Sequence, residues 1–171
     1  MNVDTSTITE SVERGTVRSV AKLLLAIVSL TVVLYLGTLL PGVDRLVPQT
    51  PISFAAVITA IVTVALAGLL VLTAPKLASL TRMTLGGPKD VVENVASVVY
   101  WLVVLAAVLV AHRGLAGAVT PLFDGFVWLY DAVFLLAALP AVAFVAARLY
   151  ASIDPGAEFV ADRVAGDEGG D

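Results

Sequence analysis

Four stretches of the chain are rich in apolar residues and almost free of charge, and short polar segments separate them. Three of them hold 21, 30 and 18 consecutive residues without a charged side chain, and the fourth holds 22 residues with a single charge, Asp131. A helix needs about 20 apolar residues, at 1.5 Å per residue, to cross about 30 Å of hydrocarbon. The pattern therefore predicts four membrane-spanning helices, at about residues 22–40, 52–74, 94–111 and 126–147.

The alternative to membrane spans is a soluble bundle of unusually apolar helices. A surface helix of a soluble protein carries a polar face that repeats every 3.6 residues. The stretch AVITAIVTVALAGLLVLTA at residues 56–74 has no polar face beyond scattered threonines. A cleaved signal peptide is not expected, because the first apolar block is too long and no small-residue cleavage site follows it. We therefore predict an all-α fold, an integral membrane four-helix bundle.

The polar segments around the spans are short, and they divide the chain into three parts. Residues 1–21 are expected to form a cytoplasmic N-terminal helix or tail, because Thr7 and Glu10 have the spacing of a helix-capping box. Residues 22–150 form the four-span domain. Residues 151–171 are expected to form a cytoplasmic amphipathic helix and an acidic tail.

Two prolines fall within the predicted spans. Pro75 is expected to end or kink the second span, before a short helical or interfacial piece at residues 76–85. Pro140 lies in the middle of the fourth span, where a proline is more often tolerated in a membrane helix than used as a hinge.

Lysine and arginine are unequally distributed between the connections, and this distribution predicts an orientation. The two terminal segments and the second connection carry eight of these residues, whereas the first and third connections carry only Arg45 and Arg113. Loops on the cytoplasmic side of a membrane are enriched in Lys and Arg. Both termini and the middle connection are therefore predicted to be cytoplasmic, in a multi-pass protein of the cell membrane.

The composition adds an independent indication. The chain is 59% hydrophobic and 14% charged, and its 14 acidic residues outnumber its 10 basic residues. Excess negative charge keeps the proteins of halophiles hydrated. The acidic, lysine-poor pattern resembles small, uncharacterised haloarchaeal-type integral membrane proteins with four spans; the resemblance covers composition and layout, and it implies no activity. Nucleic acid is not an expected partner, because no basic stripe is present to meet phosphates.

The sequence lacks the residues on which most catalytic reactions depend. The chain has no Cys, which excludes thiol nucleophiles and cysteine-ligated metals, and its only histidine is His112. The glycine-rich phosphate-binding motifs and the serine-nucleophile motif do not occur. We therefore expect neither an enzyme nor a cofactor.

Asp131 is the only ionisable residue well inside a predicted span. It lies about 9 Å deep, at nearly the depth of Tyr35 and Thr59 on the first two spans. A carboxylate in hydrocarbon costs about 2.5–3.5 kcal/mol, so we expect Asp131 to face the bundle interior and to bond to these hydroxyls. The cluster has a functional interpretation, a proton or cation site, and a structural one, a packing carboxylate or one that reaches back to the surface.

A second group of polar residues is predicted at the outer surface. His112 and Arg113 are expected to end the third span level with Asp124, which precedes the fourth. They have the residue types of an exposed ion pair or a pH sensor, and interfacial anchoring is the commoner use of such residues.

Small residues recur at four-residue spacing on the last three spans, for example at Ala107 and Ala111 and at Ala143 and Ala147. Such faces let membrane helices approach closely. We therefore expect a structural or accessory membrane protein that associates with itself or with a larger complex. The alternative is a small proton- or cation-linked transporter or channel that uses Asp131.

Overall fold

The computed structural model describes residues 5–123 and 125–151. The segment 152–171, with its predicted amphipathic helix and acidic tail, lies outside the described residues. Four α-helices account for most of the described chain, and a single 3₁₀ turn at Thr120–Leu122 links the last two. The helices are α1 (Thr5–Thr38), α2 (Phe54–Thr84), α3 (Lys89–Val119) and α4 (Val127–Ala151).

The predicted fold class is confirmed. All four helices are long and apolar enough to cross a membrane, and no strand occurs in the described part of the chain. Each helix contains most of one predicted span, but the first three extend well beyond it. A count of charge-free residues reports only the apolar layer and not where a helix ends.

Local signals explain the course of α2. Ser53 caps its start, because its side-chain oxygen accepts a hydrogen bond from the backbone N–H of Ala56. The helix does not end at Pro75 but continues to Thr84, so residues 76–84 belong to the same helix. Neighbouring helices and local adjustments can compensate for the missing N–H of a proline in a membrane helix.

The helices pack in chain order. α1 lies against α2, α2 lies against α3 over the largest interface, and α3 lies against α4. No comparable interface joins α1 to α4 within residues 5–123 and 125–151. Each of these two helices therefore has a packed neighbour on one side only.

Small side chains fill the contacts between helices, and long apolar side chains face outward. Among the residues whose burial the structure describes, alanine supplies five of the nine buried apolar residues, whereas leucine supplies only one. The exposed apolar side chains include most leucines and valines of α1 and α4. This distribution is the inverse of a soluble core and fits helices surrounded by lipid.

Helices α2 and α3 approach each other closely where Gly114 faces Thr63. Thr63 is buried, and a Cβ atom at Gly114 would overlap its side chain. A side chain at position 114 would therefore push the two helices apart.

Candidate functional site

Asp131 forms its side-chain contact with His112. The Nε2 atom of His112 lies 3.0 Å from Oδ1 of Asp131 and joins α3 to α4. Asp131 lies one turn after the start of α4, and His112 lies two turns before the end of α3. Because the two helices are antiparallel, these positions face each other near the same end of the molecule, which we call the His112 end.

Aromatic residues hold the imidazole in place. The hydroxyl of Tyr130 donates a hydrogen bond to the backbone carbonyl of His112, and the two rings stack with centroids 5.2 Å apart. The Phe134 ring and the imidazole meet edge to face, with their centroids 5.1 Å apart. Tyr130 is buried, so this side of the imidazole is covered by protein. The opposite side leads to an open groove.

That groove, which we call the His112 groove, has a volume of about 530 Å³. Its lining is apolar except at one end, where His112 and Asp131 lie. The side chain of Asp131 is 64% exposed and that of His112 is 35% exposed. The remaining lining residues are Val108, Leu109, Trp128, Ala132, Phe134, Leu135 and Ala138. The groove thus combines an apolar trough with a carboxylate and an imidazole.

A second polar contact joins the same two helices at their other end, the Arg148 end. Nη1 of Arg148 donates a hydrogen bond of 3.0 Å to Oδ1 of Asn94. Eighteen residues separate Asn94 from His112 along α3, and 17 separate Asp131 from Arg148 along α4. At 1.5 Å per residue the two contacts are about 26 Å apart, close to the thickness of a hydrocarbon layer. A hydrocarbon layer of this thickness that begins at the Asn94–Arg148 contact would end near the His112–Asp131 contact.

Other polar contacts lie at the Arg148 end or beyond it. Lys76 of α2 donates a hydrogen bond of 2.8 Å to Ser19 of α1. Arg82 of α2 and Glu93 of α3 form a bidentate salt bridge, with N···O distances of 2.7 and 2.8 Å. Both side chains of this pair are about half exposed, so the salt bridge adds little to the free energy of unfolding.

The structure does not bring the predicted cluster of Asp131, Tyr35 and Thr59 together through hydrogen bonds. Tyr35 is 65% exposed on α1, which does not pack on α4, and Thr59 is half-buried on α2. Neither hydroxyl bonds to Asp131 among the described contacts, and Asp131 faces the groove instead of the bundle interior. Equal depth along two helices does not make them neighbours, which is why the expected geometry differs.

The predicted outer-surface group is divided. His112 does not end its helix, because α3 continues to Val119, and its partner is Asp131. Arg113 is exposed on the same helix. Asp124 lies outside the described residues.

The symmetry of an antiparallel hairpin is the signal that identifies the missed pairing. Residues at equal distances from the turn face each other across the hairpin. The contacts His112–Asp131 and Asn94–Arg148 are both centred on residue 121 or 122, inside the 3₁₀ turn. Matching polar residues about the predicted turn would have selected both pairs.

A second groove, which we call the Ala107 groove, crosses α3 between α2 and α4. Small residues line much of it: Ala67 and Gly68 of α2, Ala107 and Ala111 of α3, and Ala137 of α4. Its volume is about 520 Å³, and its lining is almost wholly apolar. Gly68 is exposed, and a Cβ atom there would meet no neighbour within 4 Å.

No group of three or more potential metal ligands occurs among the residues that the structure describes. Comparison with known proteins gives no match, whether to a family model, to a curated protein or to a solved structure. Function is therefore argued from the two grooves and the polar contacts.

Proposed function

We propose that the chain is a small structural or accessory protein of the cell membrane that associates laterally with another membrane helix, from a second copy or a larger complex. The Ala107 groove carries this proposal. In lipid no hydrophobic force drives helices together, so close backbone approach over small residues supplies much of the association energy. A groove with alanine and glycine on three helices offers such an approach.

The packing of the helices supports the same proposal. Many buried small residues are used inside the chain, as at Ala74, Ala96 and Ala141. Of the small residues that line the Ala107 groove, Ala107 is buried, Ala67 and Ala111 are half-buried, and Gly68 and Ala137 are exposed. An incoming helix would bury them without any rearrangement of the four helices.

Filling the groove tests the proposal. Gly68→Leu places a long side chain in open space, so the monomer is expected to fold normally while lateral association weakens by about tenfold or more. The measurement is the distribution of oligomers and co-purified membrane partners from native membranes. Ser29→Leu, at an exposed position of α1 outside the groove, is the matched control. Strictly monomeric wild-type protein without a membrane partner would refute the proposal.

The His112–Asp131 contact favours a second candidate, a proton- or cation-linked transporter or channel. Ionisable residues within membrane spans mark many proton and ion pathways, and Asp131 lies within the fourth candidate span. In liposomes this candidate predicts a pH-dependent flux that Asp131→Asn abolishes, because an amide carries no proton. Flux that is absent from the wild type, or unchanged in the variant, would exclude Asp131 as the coupling group.

The remaining parts of the proposal rest on composition and charge. The bias of Lys and Arg supports cytoplasmic termini, and the acidic balance supports a halophilic setting and argues against nucleic acid as a partner. The proposal assigns the protein no catalytic reaction and no cofactor. The lipid bilayer is its immediate surroundings.

A further inference from the structure

The polar end of the His112 groove carries the Asp131 carboxylate, whose one described side-chain partner is the imidazole of His112. Asp131 is the only acidic residue in the described lining, and neither lysine nor arginine lines the groove. The contact with His112 uses Oδ1 of Asp131, and the side chain remains 64% exposed. A ligand head that carries positive charge can therefore reach the carboxylate.

Aromatic rings accompany this carboxylate. Trp128 lies one turn before Asp131 on the same face of α4, and its side chain is largely exposed in the groove. Phe134 contributes further ring surface to the groove. Aromatic faces next to an acidic group are the arrangement that recognises organic ammonium ions, through cation–π attraction together with charge.

The apolar part of the groove runs from this polar end into the hydrocarbon layer. Ala138 lies seven residues beyond Asp131 along α4, a distance of about 10 Å. Leu135 lies between them on the same face, and Val108 lies about 6 Å deeper than His112 on α3. A head bound at Asp131 would lie at the membrane edge, and an attached chain would follow the trough inward.

We propose that the His112 groove is a binding site for a cationic amphiphile, with an ammonium head at Asp131 and Trp128 and an alkyl chain along Leu135 and Ala138. The carboxylate repels heads that carry only negative charge, and an uncharged head gains neither the charge nor the cation–π attraction. His112 positions the carboxylate and does not itself contact the ammonium. The head site at Asp131 and Trp128 lies outside the Ala107 groove of the proposed lateral association, although the two grooves share Val108 and Phe134.

Binding of radiolabelled dodecyltrimethylammonium to the full chain tests the site directly. Nanodiscs of digalactosyldiacylglycerol are suitable, because this lipid is uncharged and has no ammonium group. We expect saturable binding to the wild type, about tenfold or more weaker binding to Asp131→Asn, and about threefold weaker binding to Trp128→Leu. Asp131→Asn keeps an acceptor for His112, and Asp131→Glu is expected to retain saturable binding because it keeps the charge.

Two controls separate the site from general partitioning into the bilayer. Asp44→Asn removes the same charge from the exposed connection between α1 and α2 and should bind like the wild type. A probe with an uncharged neopentyl head on the same dodecyl chain should show no saturable binding to the wild type. Equal binding of the ammonium probe by wild type, Asp131→Asn and Asp44→Asn would overturn the proposal, and so would saturable binding of the neutral probe.

The natural source of the ammonium head is distinguished in the same assay. Phosphatidylethanolamine is added to the nanodiscs before the probe. If the lipid lowers the binding of the probe to the wild type, and lowers it less for Asp131→Asn, the groove is assigned to a membrane lipid. If the lipid does not lower the Asp131-dependent binding of the probe, the groove is assigned to a cationic amphiphile that partitions into the membrane.

Discussion

At the scale of single residues, the sites that matter are small or polar. Gly114 sets the distance between α2 and α3, because Thr63 occupies the space that a Cβ atom would need. Buried membrane helices interact by close contact, so one methyl group at this point affects the whole interface. Asp131 acts differently: its partner, His112, fixes α3 relative to α4 at the membrane edge.

Gly114→Ala is expected to lower the free energy of unfolding by about 1–3 kcal/mol, because overpacking outweighs the higher helix propensity of alanine. Denaturant titration in mixed micelles measures this change. Gly117→Ala is the matched control, since its Cβ atom would lie 3.5 Å from that of Ala56, an ordinary contact. Equal stability of the two variants would contradict the close approach at Thr63.

The partner of Asp131 could have been predicted from the sequence with a different argument. Depth along each helix selected Tyr35 and Thr59, but depth does not say which helices touch. Pairing about the turn between α3 and α4 selects His112, because an antiparallel hairpin fixes the facing positions. The exposure of Asp131 in a groove depends on side-chain packing and has no signal in the sequence pattern.

At the scale of elements, the α3–α4 hairpin is held by a polar contact at each end. The contacts His112–Asp131 and Asn94–Arg148 lie at opposite ends of the hairpin, and the helix segments between them are apolar. Polar groups at these depths reach water or headgroups and avoid the cost of burial in hydrocarbon. The helix centres were predictable from charge-free length, whereas the helix ends were not, because residues 76–84 and 89–93 are helical outside that layer.

A double-mutant cycle tests the contact at the Arg148 end. Asn94→Ala and Arg148→Ala are expected to show a coupling energy of about 1 kcal/mol in the free energy of unfolding, as a charge-assisted hydrogen bond gives. The control cycle pairs Arg148→Ala with Asp131→Asn, which lies at the opposite end of α4, and it should show no coupling. Equal coupling energies in the two cycles would contradict a direct contact between Asn94 and Arg148.

At the scale of the whole molecule, the central claim is a four-span membrane protein with its small residues inside and its large apolar residues outside. The described helices pack in chain order and leave α1 and α4 with one packed neighbour each. Much of their apolar surface is exposed, and only lipid or another membrane helix can cover it favourably. The four spans were predictable from the sequence because the apolar stretches match the thickness of a bilayer.

Thiol labelling in intact cells tests this claim most directly, since the native chain has no Cys. Single cysteines replace Gln49 in the first connection, Gly86 in the second and Gly125 in the third, all of which are exposed. An impermeant maleimide should label Gln49→Cys and Gly125→Cys from outside, and Gly86→Cys only after the membrane is permeabilised. Labelling of Gly86→Cys from the same side as Gln49→Cys would contradict the four-span topology.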